Sequence, residues 1–205
     1  MPVKARSGAR QRILDTAARL FLDEGVGSVG INRIVAESDV ALMTLYRHFA
    51  SRDALIEAVI QDQDRCWRER TLAIAGGVGD PAEQILAIFD ALAAEVRSAR
   101  CPGCIFQSTG LALAEPTHPA SRAVRANKRW LRGLLRELAQ QCGAPANLGD
   151  QLMLLYEGAL VSRVLERDRS AGANARASAR GLLSAAASPD ARPARSPRGG
   201  HAQRA

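Results

Sequence analysis

Aromatic side chains are scarce: Phe, Trp and Tyr together make up 4% of the 205 residues. The core must therefore be filled by Leu, Ala, Val and Ile. Long β-branched runs are missing too, while alanine and leucine, strong helix formers, abound. These absences point away from strand-built folds and towards an all-α fold. No run of about 18 apolar residues is present, so no membrane span is expected. The opening MPVKARSGARQR is basic with no apolar region behind it, which does not fit a secretory signal, and the cytoplasm is the default location. The four cysteines, Cys66, Cys101, Cys104 and Cys142, are too few and too scattered for a disulfide framework. No Ser/His/Asp set, carboxylate pair or phosphate-cradling Gly loop stands out, so no catalytic residue is assigned and an enzyme is not expected. His48, His118 and His201 form no ligand pattern, and neither a metal nor a cofactor is expected. No internal repeat is visible.

What is present is a chain long enough to bury a sizeable core, with 47% hydrophobic residues. Its formal net charge of +7 favours an acidic partner, of which nucleic acid is the commonest. Ile13, Leu14, Ala17, Leu20 and Phe21 recur at helical spacing, and Gly25 and Gly27 stop that first helix. Ile31, Ile34 and Val35 mark a short second helix, Ser38-Asp39-Val40 a turn, and a third helix is expected over about 41–49. Ser51 reads as the cap of a longer fourth helix, with Asp53 in its first turn. AGGVGDPAEQ is the clearest break: Asp80 reads as an N-cap, Pro81 as the first helical residue and Glu83 as the capping-box partner. Four further helices are expected: one around Ile105 to Leu113, one from about Pro119, one capped by Asn147, and an alanine-rich one from about Asn174 to Ala187. The helix after Asn147 is apolar on most sides, so it must be covered on two. The tail from residue 188 is rich in Pro, Arg and Gly and is expected to be disordered.

The stretch from Ile31 to Phe49 has the helix-turn-helix plan, in which the second helix enters the major groove of DNA. Thr44 and Tyr46 carry hydroxyls for phosphates or base edges. Arg47, His48 and Arg52 are suited to phosphates. Leu45 and Phe49 are expected to point back into the protein. Phosphate contacts fix register and base contacts specify sequence.

RILDTAARLFLDEGV followed by INRIVAESDVALMTLYRHFASRDALI resembles the DNA-binding domain of TetR-type transcriptional regulators, over about residues 10–56. GCIFQ and LYEGAL resemble segments of the ligand-binding domains of one subgroup. The resemblance implies a helix-turn-helix domain over 1–56, a helical effector-binding and dimerisation domain over 57–187, and beyond it the basic tail, 188–205. It also implies that Asn32, Leu42, Met43 and Thr44 join Tyr46, Arg47, His48 and Arg52 at the DNA. Asp39 stands where the family usually has Gly, at a turn that often needs positive φ. The implied partners are a double-stranded DNA operator, a second copy of the chain in a homodimer, and a small-molecule effector. The implied role is a repressor released by that effector. An activator, a nonspecific DNA-coating protein and a helical enzyme using the cysteine pair stand as rivals.

For the effector, Phe89, Phe106, Trp130 and Tyr156 offer aromatic walls on separate helices, Met153 an apolar one, and Gln107 and Glu157 polar contacts. Few ionisable residues interrupt these helices, so a neutral or weakly charged, largely apolar ligand is expected. Glu157 faces either this pocket or water. CPGC, Cys101 to Cys104, is read as core or pocket packing, with thiol sensing and metal ligation as alternatives. A structural zinc would need two more ligands, and no second paired motif exists.

Overall fold

The computed structural model describes residues 8–99, 103–113, 115–145 and 147–187. Among these residues every regular element is a helix. In chain order they are α1 (Ala9–Glu24), α2 (Ile31–Ser38), α3 (Leu42–His48), α4 (Arg52–Gly76), α5 (Pro81–Arg97), α6 (Ile105–Ala112), α7 (Pro119–Gln141), α8 (Leu148–Leu165) and α9 (Ala171–Ala187). The basic arm 1–7, Cys101 and the tail 188–205 lie outside the described residues.

Local chemistry sets most boundaries. α1 ends at Gly25, whose φ of 85° suits a residue without Cβ. The α2–α3 turn passes through Asp39 in the left-handed region, φ 52° and ψ 54°. The Arg12 guanidinium donates to the carbonyls of Ser38 and Asp39 at 3.4 and 3.3 Å, which holds the turn against α1. Ser51 Oγ accepts the Ala54 N–H at 3.1 Å and starts α4. Asp80 accepts the Glu83 N–H at 2.9 Å and Pro81 opens α5. At two starts the structure differs from the sequence expectation. Asn147 stands at the N-cap position of α8, its carbonyl accepting the Gln151 N–H at 3.1 Å, but at φ −84°, ψ −8° its side chain makes no cap hydrogen bond. α9 begins at Ala171, three residues before Asn174, because the Asp168 carboxylate accepts the N–H and the hydroxyl of Ser170 at 2.7 and 2.6 Å.

Two apolar cores follow one another along the molecule. The first joins α1–α3 to the start of α4 through Ile13, Leu14, Phe21, Ile34, Leu45, Phe49, Leu55 and Val59, and Ile105, Phe106 and Val124 of α6 and α7 belong to it as well. The second joins α5, α7, α8 and α9 through Ile85, Phe89, Leu131, Leu135, Leu152, Met153 and Leu183. Each such side chain contributes about 1.5–3 kcal/mol when fully buried. Trp67 and Cys104 pack against both cores. α9 lies close on α5: a Cβ on Gly172 would come within 2.6 Å of Ala93 Cα. α4 continues through residue 56 without a break and touches α1, α5 and α7, so it belongs to both halves.

Candidate nucleic-acid interface and effector cavity

α3 presents two unlike faces. Leu45 and the following Phe49 are buried and tie it to α1 and α4. Leu42, Met43, Tyr46, Arg47 and His48 are exposed, and Thr44 is half-buried beside them. A short helix held by two apolar anchors, with hydroxyls, a cation and apolar groups turned outward, is suited to a major groove: apolar side chains meet thymine methyls and hydroxyls meet base edges or phosphates. Arg10 stacks over the Phe49 ring at 5.4 Å, which places a further cation at the α3 end. Asn32 is exposed near the start of α2.

Arg52, at the start of α4, turns one guanidinium nitrogen to the α1–α2 loop. Its Nη2 donates to the carbonyl of Val26 and, at 3.2 Å, to that of Val29. The guanidinium thus closes the α1–α2 loop onto α4. On the flank, Glu37 takes Arg19 and Arg33, and Arg33 also reaches Glu24 at 3.2 Å. The two arginines hold the Glu37 carboxyl below its usual range. These cations brace α1 and α2.

A cavity of about 360 Å³ opens between α4, α5, α6, α7 and α8. α4 contributes Gln63, Cys66, Trp67 and Arg70; α5 Glu95; α6 and the residues before it Cys104, Ile105 and Phe106; α7 Asn127, Lys128 and Leu131; α8 Tyr156 and Leu160. Leu22 of α1 completes the wall. Of the residues chosen from sequence, Phe106 and Tyr156 line it. Phe89 does not: it is fully buried and meets Tyr156 edge-on at 6.1 Å, supporting the wall from behind. Met153 is core. Trp130 stacks edge-on with Trp67 at 5.6 Å and lies under Arg68 at 5.0 Å, so it too acts through a lining residue.

Gln107 and Glu157 meet behind the cavity. Glu157 accepts from Gln107 Nε2 at 2.6 Å and from Lys128 Nζ at 2.7 Å, tying α6, α7 and α8 together. Lys128 Nζ lies 3.8 Å from Cys104 Sγ. Burial pushes the Cys104 thiol up, with Lys128 opposing, which disfavours the thiolate that thiol sensing needs. Burial pushes the Tyr156 phenol up as well. Glu95, Asn127, Lys128, Gln63 and Arg70 were missed from sequence, because a polar residue on an amphipathic helix reads as solvent-facing. Among the described residues no group of three or more His, Cys, Asp or Glu is placed to hold a metal ion, and no helix is long and apolar enough to cross a membrane.

The two regions are mechanically joined. His118 caps α7, its Nδ1 accepting the Ala120 N–H at 3.1 Å. Its Nε2 lies 3.4 Å from Asp53 Oδ1 in the first turn of α4. Asn127 donates to Asp64 of α4 at 2.8 Å, and Gln11 of α1 to Asp62 at 3.2 Å.

An exposed reading helix on a buried helix-turn-helix frame, set beside a helical module with its own cavity, defines a DNA-binding regulator. The comparisons agree. The family model described as "Bacterial regulatory proteins, tetR family" matches residues 13–59. SCO4454, a TetR-family transcriptional regulator from Streptomyces coelicolor, is 34% identical, with a TM-score of 0.84 over 88% of this chain and 96% of that one. The structure of sav143 from Streptomyces avermitilis is 27% identical, with a TM-score of 0.79 over 88% and 98% of the two chains. An uncharacterized HTH-type transcriptional regulator of Mycobacterium tuberculosis (strain CDC 1551 / Oshkosh) is 37% identical over 78 residues, 38% of this chain. That match spans 39% of the length of the curated relative. The chain belongs to the TetR family: it is a DNA-binding transcriptional regulator of the helix-turn-helix class.

Proposed function

We propose that the chain is a homodimeric, cytoplasmic repressor that leaves a near-palindromic operator when a small, mostly apolar effector enters the cavity between α4 and α8. The carrying observation is that one helix serves both regions: α4 starts directly behind α3 and supplies Trp67 to the cavity wall. The DNA-contacting set is Asn32, Leu42, Met43, Thr44, Tyr46, Arg47, His48 and Arg52, on a module ending near residue 56, and the effector module runs from there to about residue 187. An effector that favours one tilt of α4 biases the reading helices, and a coupling of about 1–3 kcal/mol is enough to release DNA.

Support for the dimer comes from α8 and α9. Leu154, Val161 and Leu165 form an exposed apolar stripe on α8, with Gly158 among them. α9 exposes Ala177, Gly181 and Ala185 at helical spacing, small residues that let a second pair of helices approach. A two-fold dimer would set the two α3 helices in successive major grooves, about 34–36 Å apart. Selection of bound duplexes from a random pool tests the reading. An inverted repeat with that half-site spacing is expected; an enriched pool without dyad symmetry, or no enrichment at moderate salt, contradicts it.

A further inference from the structure

The cavity's polar groups differ in how well the fold satisfies them. Lys128 is matched by Glu157 at 2.7 Å, and the Asn127 amide donates to Asp64 at 2.8 Å. Glu95 is not matched in this way. Among the described residues its ion partner is Arg70 at 3.7 Å, with side chains 63% exposed for Arg70 and 39% for Glu95. Burial nevertheless pushes the Glu95 carboxyl up, so water does not compensate it fully. A loosely held, solvated guanidinium is a weak partner for a carboxylate in this position. Two aromatic rings stand at the same place: Trp67 and Tyr156 line the main cavity and also a smaller pocket that shares Arg70 and Glu95 with it. An underpaired carboxylate beside indole and phenol rings has one complementary ligand group, a compact cation that can be stripped of water.

We propose that the effector is a monocation, a protonated amine on an aromatic or alicyclic frame, with its ammonium on the Glu95 carboxylate beside Trp67 and Tyr156 and its frame in the apolar remainder of the cavity. This rests on the reading of that cavity as the effector site. On binding, the ammonium takes the place of Arg70, which swings out into water. The volume of about 360 Å³ accommodates a small bicyclic frame.

Calorimetry on the full-length protein with three probes of one shape tests this: 2-naphthylmethylammonium, 2-naphthylmethanol and 2-naphthoate. The ammonium should bind most tightly, by about tenfold or more over the alcohol, as a charge-assisted hydrogen bond predicts. Glu95→Gln should erase that advantage while the alcohol binds as before. Arg70→Met should tighten the ammonium, because a competitor is gone; a purely structural Glu95–Arg70 pair would not give this. Equal affinity for the three probes, a preference for the alcohol or the carboxylate, or an ammonium preference that survives Glu95→Gln each overturns the charge inference. If the uncharged and acidic probes still bind and the binding is lost in Leu160→Trp, which fills the cavity, the effector-site reading stands without the charge inference. Binding of none of the three probes would remove the support for both.

Discussion

Leu154→Asp should convert a dimer to a monomer without unfolding it. In the single chain Leu154 is 71% and Leu165 77% exposed, so neither contributes much to the fold of one protomer. Full burial of a leucine contributes about 1.5–3 kcal/mol, and roughly 70% of that is still to be gained by each. Two such leucines on each of two protomers therefore supply on the order of 4–8 kcal/mol to association, before the entropic cost of pairing. Asp at 154 removes a quarter of that term per protomer and asks the interface to bury a carboxylate with no cation on the stripe. Several kcal/mol per buried ion is the usual penalty, and the two-fold axis applies it twice. A loss of only about 4 kcal/mol already weakens dimerisation roughly a thousandfold. Sedimentation velocity at micromolar concentration should show wild type near twice 21.9 kDa and the variant near 21.9 kDa. Far-UV circular dichroism should keep its helical amplitude, since an exposed substitution changes protomer stability by about 0.5 kcal/mol or less. A variant that remains dimeric with unchanged affinity, or a wild type that sediments as one chain, refutes the placement of the interface.

Arg47→Ala should weaken binding to every duplex and lower the salt slope by about one, whereas Thr44→Ala should change affinity at particular base pairs; anisotropy titrations over a salt series separate the two. Arg52→Ala should also destabilise the fold, by about 1–3 kcal/mol in urea melts, because the Val26 and Val29 carbonyls lose their donor. Asp39→Val should cost about 1–2 kcal/mol in the same assay, while Asp39→Gly should be neutral or better, since φ is 52° there. His118→Ala should cost about 1 kcal/mol through loss of the α7 cap, and Asp53→Asn, which removes only the exposed partner, less than about 0.5 kcal/mol.

Most boundaries that depend on neighbours within one turn are legible in the sequence. Ser51, Asp80 with Pro81, Gly25 and the turn at Asp39 are legible, because cap and turn chemistry is local, while the left-handed φ at Asp39 is what the family resemblance implies. At α8 the position of Asn147 is legible but its side-chain bond is not made, since its backbone is helical rather than extended. The excess apolar face of α8 is legible as well, since Leu154, Val161 and Leu165 stand at helical spacing and are exposed among the described residues. The cavity was legible only in part. Bulky aromatics suggest walls, and Phe106 and Tyr156 are walls, but Phe89 has the same sequence signature and fills core. Glu95 and Lys128 carried no signal, because which polar residue faces a void depends on how α4, α5 and α7 cross.

The unbroken run of α4 has a geometric consequence. Trp67, in the cavity wall, lies fifteen residues along from Arg52, which adjoins the reading unit, or about 22 Å at 1.5 Å per residue. A rod pivoting at the cavity by about 5° sweeps its far end through about 2 Å. Hydrogen bonds to phosphate tolerate a few tenths of an ångström. In the proposed dimer two such rods, related by a two-fold axis, would alter the distance between half-sites by up to about 4 Å, against a groove spacing that DNA fixes. On the proposed reading the helix would work as gearing: a displacement too small to disturb the packing around a ligand would become, at the nucleic acid, larger than a hydrogen bond there can absorb.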